Sequence, residues 1–225
     1  MSTASNSNLA SEPRDPDCRV GAQSDTRTID FLSGGGEMAT LMRETDWSKT
    51  PLGPLKDWPQ SLRTSVGILL SSRHPMFLAW GPELSLLYND SYAPILGSKH
   101  PKMLGRPFTE VWSEVWEDLG PIAERALAGE PNWSENFLLF MKRHNYLEET
   151  YFTFSYSPIY DESGGIGGMF CACTDTTQAV LAERRLRTLS ELSSAAAAAQ
   201  ARTAAETEAL CLAALQANRA DVPFA

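Results

Sequence analysis

The stretch that most constrains this chain is Pro75 to Gly97, PMFLAWGPELSLLYNDSYAPILG. Met76 to Trp80 is an apolar run of strand length, Gly81-Pro82-Glu83 reads as a tight turn, and Leu84 to Tyr88 reads as a second strand, so the pair predicts a hairpin. Asn89-Asp90 follows, two residues that favour turns and helix N-caps, and then a short helical segment, Tyr92 to Leu96, closed by Gly97.

The flanks are read against that core. Residues 1–33 are mostly Ser, Asn, Asp, Pro and Arg, which bury too little to offset the entropy of ordering them, and are expected to be a disordered tail. Gly34-Gly35-Gly36 is expected to be a flexible joint, since no strand precedes it and no Gly-Lys-Ser/Thr follows it. Residues 34–74 then form an N-terminal helical flank. Met38, Leu41 and Met42 share one face, Asp57 is placed as a helix cap, and Trp58, Leu62, Val66, Leu69 and Leu70 make a helical stripe.

Beyond the hairpin, Phe108 to Leu119 sets Phe108, Trp112, Val115 and Trp116 against a solvated face of Glu110, Glu114, Glu117 and Asp118, and Gly120-Pro121 predicts a break. The period then changes: Trp133 to Met141, Glu149 to Tyr156 and Gly167 to Thr174 read as strands, the second presenting Phe152, Phe154 and Tyr156 to one side. Asp175 to about Asn218 reads as one long helix, with Leu181, Leu189, Leu192, Ala196 and Ala199 near one face and Asp175 as its cap, paired with Gln178 in a capping box.

Composition narrows the function. A net charge of -9 argues against a nucleic-acid partner, and no run reaches the roughly 20 apolar residues of a membrane span. The N-terminus lacks the basic-then-apolar order of a signal peptide, so a cytoplasmic protein without membrane insertion is expected. Cys18, Cys171, Cys173 and Cys211 have no partner at metal-ligand spacing and are read as reduced; no metal is expected.

From residue 75 to 177 the order is strand, strand, short helices, longer helix and three strands. This order resembles a PAS domain. The marks that carry the likeness are Tyr88-Asn89-Asp90, Gly105-Arg106-Pro107-Phe108, the run SPIYDESGG at 157–165, and Asp175-x-Thr177. The flank DWSKTPLGPLKDWPQSL is similar to the lead-in of PAS domains at the N-terminus of bacterial sensor histidine kinases. The resemblance implies an α+β fold, an antiparallel sheet with helices on one face, preceded by the helical flank and followed by a long C-terminal signalling helix. Residues 178–218 are then a coiled-coil linker and residues 219–225 the start of a following segment. Homodimerisation is expected through the exit helix, and a GAF domain or kinase transmitter is expected downstream.

The resemblance also locates a ligand pocket, with candidates Phe77, Trp112, Trp116, Phe152, Phe154, Tyr156, Met169, Cys171 and Cys173, and a signal-transmission pair, Asp175 and Thr177. It implies neither flavin nor haem. Flavin-binding relatives carry Cys where this chain has Phe108, and Asn and Gln where it has Phe152 and Cys173; haem-binding relatives use a His on the long helix, and Val111 to Gly129 has none. His100 lies in the preceding loop. No phosphoacceptor His is present in the exit helix and no ATP lid follows, so the chain itself is not expected to be an enzyme. Three functions compete: a sensor of an unidentified small ligand or partner, a ligand-free interaction scaffold, and a thiol enzyme built on Cys171 or Cys173.

Overall fold

The computed structural model describes residues 31–34, 36–198 and 203–222. The five strands are β1 (Met76–Trp80), β2 (Ser85–Tyr88), β3 (Asn132–Met141), β4 (Glu148–Tyr160) and β5 (Ile166–Asp175). They form one antiparallel sheet in the order β2-β1-β5-β4-β3. The expected hairpin and the expected sheet are both present. Helices α3 (Ala93–Leu96), α4 (Phe108–Val111) and α5 (Trp116–Leu127) bury the sheet's inner face, while α2 (Gln60–Ser71) packs against β1 and β2.

The flank is locked to the hairpin by the Asn-Asp step. Asn89 is buried, and its Nδ2 donates to the carbonyls of Leu69, Ser72 and His74 at 3.2, 3.1 and 2.8 Å. Its Oδ1 accepts from the amides of Met76 and Tyr92. One side chain thus ends α2, starts β1 and begins the turn into α3. Asp90 accepts from the Met38 amide at 3.0 Å, holding the start of α1 (Glu37–Glu44).

Several local expectations change. Gly36 has φ 103, and a Cβ there would overlap the Asp90 carboxylate, so this glycine serves a close approach where a flexible joint was expected. The expected tail is too long: Leu32 is fully buried and Phe31 stacks at 6.0 Å from Trp58, while residues 1–30 lie outside the described residues. Asp57 does not cap α2, because Trp58 and Pro59 are extended. The cap comes from across the fold, where Glu162 in the β4–β5 turn accepts from the Ser61 amide at 2.6 Å and its hydroxyl at 3.1 Å.

The break expected at Gly120-Pro121 falls earlier, at Trp112 (φ -119, ψ 35). Pro121 sits inside α5, where the carbonyl it leaves without a donor belongs to exposed Glu117 and can be hydrated. Glu114 is not part of a solvated face: Lys99 Nζ meets it at 2.6 Å and also lies 4.1 Å from the Trp112 ring centre.

The C-terminal helix begins at Thr177 and runs as α6 (Thr177–Ala198), but it does not continue to Asn218. Thr203 opens a second helix, α7 (Ala204–Ala217), with a capping box to Glu206, and α7 packs back on α6. Arg184 on α6 holds Glu149 of β4 at 2.7 Å and Asp221 at 2.6 Å, and Asn218 donates to Thr188 at 2.9 Å. The hydrogen bond from Arg184 lowers the pKa of both carboxyls. Folding back divides the expected dimer seam: Leu181 and Leu192 are half-buried while Leu189 is exposed, and Ala199 lies outside the described residues.

Candidate functional site

Alternation along β4 sends Phe152, Phe154 and Tyr156 inward, and alternation along β5 sends Cys171 and Cys173 to the same face. Register sets Tyr156 opposite Cys171, Phe154 opposite Cys173, and Phe77 of β1 opposite Cys171. These side chains surround a cavity of about 30 Å³, completed by Tyr92, Ile95, Trp112, Leu119, Leu139 and Met141. That volume holds about one water molecule. Seven of the nine expected pocket residues line it: Phe77, Trp112, Phe152, Phe154, Tyr156, Cys171 and Cys173.

Two expected residues do not. Trp116 is half-buried and meets the Phe108 ring edge-on at 5.8 Å. Met169 is fully buried but pairs with Ala79 and Pro158, two residues along β5 from Cys171, beyond the cavity's reach. The five lining residues not anticipated come from other elements. Leu139 and Met141 alternate inward along β3, a signal that the strand pattern carried, whereas Tyr92, Ile95 and Leu119 reach the cavity only through the way α3 and α5 fold over the sheet.

The lining is aromatic and tightly meshed. Phe154 and Tyr156 lie 4.8 Å apart, Phe77 and Tyr92 5.2 Å, and Phe77 and Phe108 5.0 Å. Phe108 is fully buried. Burial raises the pKa of the Tyr156 and Tyr92 phenols and of the Cys171 thiol, the neighbouring Cys173 adding to the last. Cys171 is therefore a protonated thiol at neutral pH, the opposite of an activated nucleophile. The Tyr156 hydroxyl makes no hydrogen bond among the described residues. His100 stands apart from the cavity, 2.9 Å from the Tyr88 hydroxyl and 3.4 Å from Glu37.

At the exit from β5 the second candidate site takes form. Asp175 Oδ1 accepts from the Thr177 amide at 3.0 Å, two residues on, and its Oδ2 accepts from Arg143 at 2.9 Å. The capping box with Gln178 is not formed, because the helix starts at Thr177 and Asp175 lies two residues before it. Thr177 Oγ1 accepts from the Tyr151 amide at 2.9 Å, and Tyr151 O accepts from Thr176 N. Arg143 also binds Glu148 at 3.1 Å. The start of α6 is thus bonded to Tyr151, near the beginning of β4, and to Arg143 in the β3–β4 connection. Sequence reasoning found Asp175 and Thr177 but missed Arg143, whose role depends on a contact 32 residues distant. Among the described residues five buried side-chain polar atoms lack a partner, and two of them, Arg143 Nε and Thr176 Oγ1, lie at this joint.

Among the described residues no helix is long and apolar enough to cross a membrane, and no group of three or more His, Cys, Asp or Glu is placed to hold a metal.

No curated protein matches this chain. Among solved structures, it is similar to an RNA-binding light-oxygen-voltage receptor at 19% identity and TM-score 0.41, covering 54% of this chain and about a third, 34%, of that one. It is similar to the PAS domain of the histidine kinase ThkA at 19% identity and TM-score 0.35, covering 45% of this chain and 99% of that one. It is similar to the PAS domain of Bordetella pertussis BvgS at 19% identity and TM-score 0.37, with 59% and 98% covered. Residues 72–181 match the family model described as the PAS fold, a span that opens just before β1 and closes in the first turn of α6. With the five strands in the order β2-β1-β5-β4-β3 and the helices laid over their aromatic inner face, this segment of the chain is a PAS domain.

Proposed function

We infer that the chain is a signal-transducing module of a bacterial two-component sensor kinase, working on the cytoplasmic side, in which a change in the aromatic interior is passed through the Asp175–Thr177 joint to α6 and on to a downstream kinase transmitter or GAF domain. One observation carries this reading. The strands that wall the cavity, β4 and β5, are bonded directly to the start of α6, and the bonding leaves Arg143 Nε and Thr176 Oγ1 unpartnered. Nothing in this reading asks the chain to catalyse a reaction: it transmits, and Cys171 and Cys173 are buried packing groups.

The occupant of the interior is a small, largely apolar molecule that makes room by displacing side chains, and it accepts a hydrogen bond from Tyr156. Flavin and haem do not suit the lining, where Phe152 and Cys173 replace polar side chains and no His is present. Purified protein is accordingly expected to be colourless, and stoichiometric bands near about 400 or 450 nm would contradict this. A cavity of only about 30 Å³ favours a second reading, a ligand-free scaffold whose interior is already filled. Mass spectrometry of the purified, denatured protein separates the two when it finds a stoichiometric compound.

The joint is tested by fusing the chain to a kinase transmitter and comparing Asp175→Ala with Asp175→Asn. Both remove the charge that Arg143 binds, but only Asn keeps an oxygen for the Thr177 amide. The alanine variant is expected to cost about 0.5–2 kcal/mol of stability. The asparagine variant is expected to preserve stability and lock kinase output on or off. If output changes only in the alanine variant, in proportion to lost stability, Asp175 is a cap and the transmission reading fails.

A further inference from the structure

Away from the aromatic interior, an open cleft of about 710 Å³ lies between the β1–β2 turn, the β4–β5 turn and the end of α5. That volume falls within the roughly 300–1,000 Å³ of small-molecule sites, and the cleft shares no lining residue with the interior cavity. Trp80, Pro82, Leu84, Leu127 and Ile166 give it apolar walls. Its charged groups are Asp161 and Glu162, and among the described residues no Lys, Arg or His lines it. The Trp80 ring lies against Gly167, where a Cβ would come within 2.5 Å of it. Trp80 is only 8% exposed, its Nε1 donates to no acceptor among the described residues, and it is not one of the five polar atoms sealed without a partner. The indole N–H therefore opens on the cleft that the ring lines. Asp161 Oδ1 accepts from the Ser163 and Gly165 amides at 2.8 and 3.0 Å, leaving Oδ2 without a partner among the described residues. Hydrogen bonds from Ser163 to Asp161, and from the Ser61 amide to Glu162, lower the pKa of both carboxyls, which are ionised at neutral pH.

We propose that this cleft binds a small organic amine with an apolar body and a hydrogen-bond acceptor. The ammonium group meets the Asp161 and Glu162 carboxylates, the body lies among Trp80, Leu127 and Ile166, and the acceptor takes the Trp80 N–H. Charge selects the cation: two carboxylates with no basic side chain on the same walls attract an amine and repel a carboxylate or phosphate. Trp is also the aromatic side chain that attracts a cation best. A bare divalent ion does not suit the lining, because Ca²⁺ takes about six to eight oxygen ligands and the apolar walls supply none. The free indole N–H selects further, since an occupant without an acceptor would leave that nearly buried donor unpaired. The site stands at the opposite end of the sheet from β3 and does not depend on the interior cavity holding a ligand.

The experiment is nuclear magnetic resonance of the full chain labelled with nitrogen-15 tryptophan, which gives six indole N–H signals, one for each Trp. Trp80→Phe and Trp112→Phe assign the signals of the cleft and of the interior cavity by their loss. Tyramine is the probe, and 4-hydroxyphenylacetate, which carries the opposite charge on a similar body, is the control. Tyramine is expected to move the Trp80 signal saturably, with a dissociation constant below about 1 mM, and to leave Trp112 in place; the control is expected to move neither. Asp161→Asn/Glu162→Gln keeps an oxygen at each position for Ser163, Gly165 and Ser61, and is expected to weaken tyramine at least about fivefold. Unmoved signals from the remaining indoles check that this variant stays folded. A Trp80 signal that shows no saturable shift up to about 10 mM tyramine overturns the proposal. So does equal binding of the control, undiminished binding by the double variant, or a response at Trp112 with none at Trp80, which would put the amine in the interior.

Discussion

The two ends of the sheet are built to different rules. At the β1–β2 end every strand residue but Met76 is buried, and the buried Asn89 side chain bonds to five backbone groups drawn from α2, the segment after it, β1 and the turn into α3. At the β3–β4 end the inner face is just as apolar, yet the outer face of β3 is bare, with Leu138 and Phe140 exposed. The cover that approaches this end, the α6–α7 pair, is tied to β4 where α6 starts, by Thr177 and Tyr151, and farther along α6 by the Arg184 guanidinium. The difference teaches that a continuous apolar run states how many faces want cover, and the rest of the molecule decides whether the same chain supplies it.

Breaking the closed end should give the largest effect. Asn89→Ala removes five hydrogen bonds and leaves the Ser72 and His74 carbonyls and the Met76 amide without a protein partner, while the Leu69 carbonyl keeps the Ser72 amide and the Tyr92 amide keeps the Asn89 carbonyl; it is expected to cost about 3–5 kcal/mol, read as a lower urea midpoint. A loss below about 1 kcal/mol would mean that water replaces the side chain and that this end is not clamped as described.

Loosening the α6–α7 pair should act locally. Glu149 and Asp221 have pKa values depressed by Arg184, so their contribution is complete above the ordinary carboxylate range and is lost as pH falls through the depressed values. Amides of α7 are therefore expected to exchange faster in acid, relative to intrinsic rates, before the sheet opens; Asp221→Ala should produce the same local loss at neutral pH. Simultaneous loss of sheet and α7 protection would show that the two ends unfold as one.

A smaller effect is expected from Glu162→Ala. The β4–β5 turn would release the Ser61 amide, and exchange should quicken in the first turn of α2 with little change at Asn89. Smallest of all is Phe140→Ser on the bare face, expected to stay within about 0.5 kcal/mol at concentrations where the chain is monomeric. A larger loss there would mean that some part of this chain covers β3 after all.

Much of the interior was legible because its signals are local. Alternation in β4 placed Phe152, Phe154 and Tyr156 on one face, and the spacing of Cys171 and Cys173 put both thiols there too. Trp116 and Met169 were placed in the pocket because periodicity gives a side chain's face but not its distance along the sheet. Arg143 and Glu162 escaped notice because an ion pair 32 residues long and a helix cap reaching across 101 residues leave no mark in either neighbourhood.

By itself the sequence determined the elements, their faces and the order in which they follow, since these depend on backbone propensity and on which neighbours are apolar. Tertiary structure decided the rest. The exit helix is the clearest case: residues 175–218 hold no Gly or Pro, so local propensity predicts one helix, yet the chain folds back as α6 and α7. Helix propensity differs by only tenths of a kcal/mol per residue among such side chains, which is less than the Arg184, Asn218 and Asp221 contacts contribute once α7 lies against α6. Long-range contacts win wherever local preferences are nearly balanced.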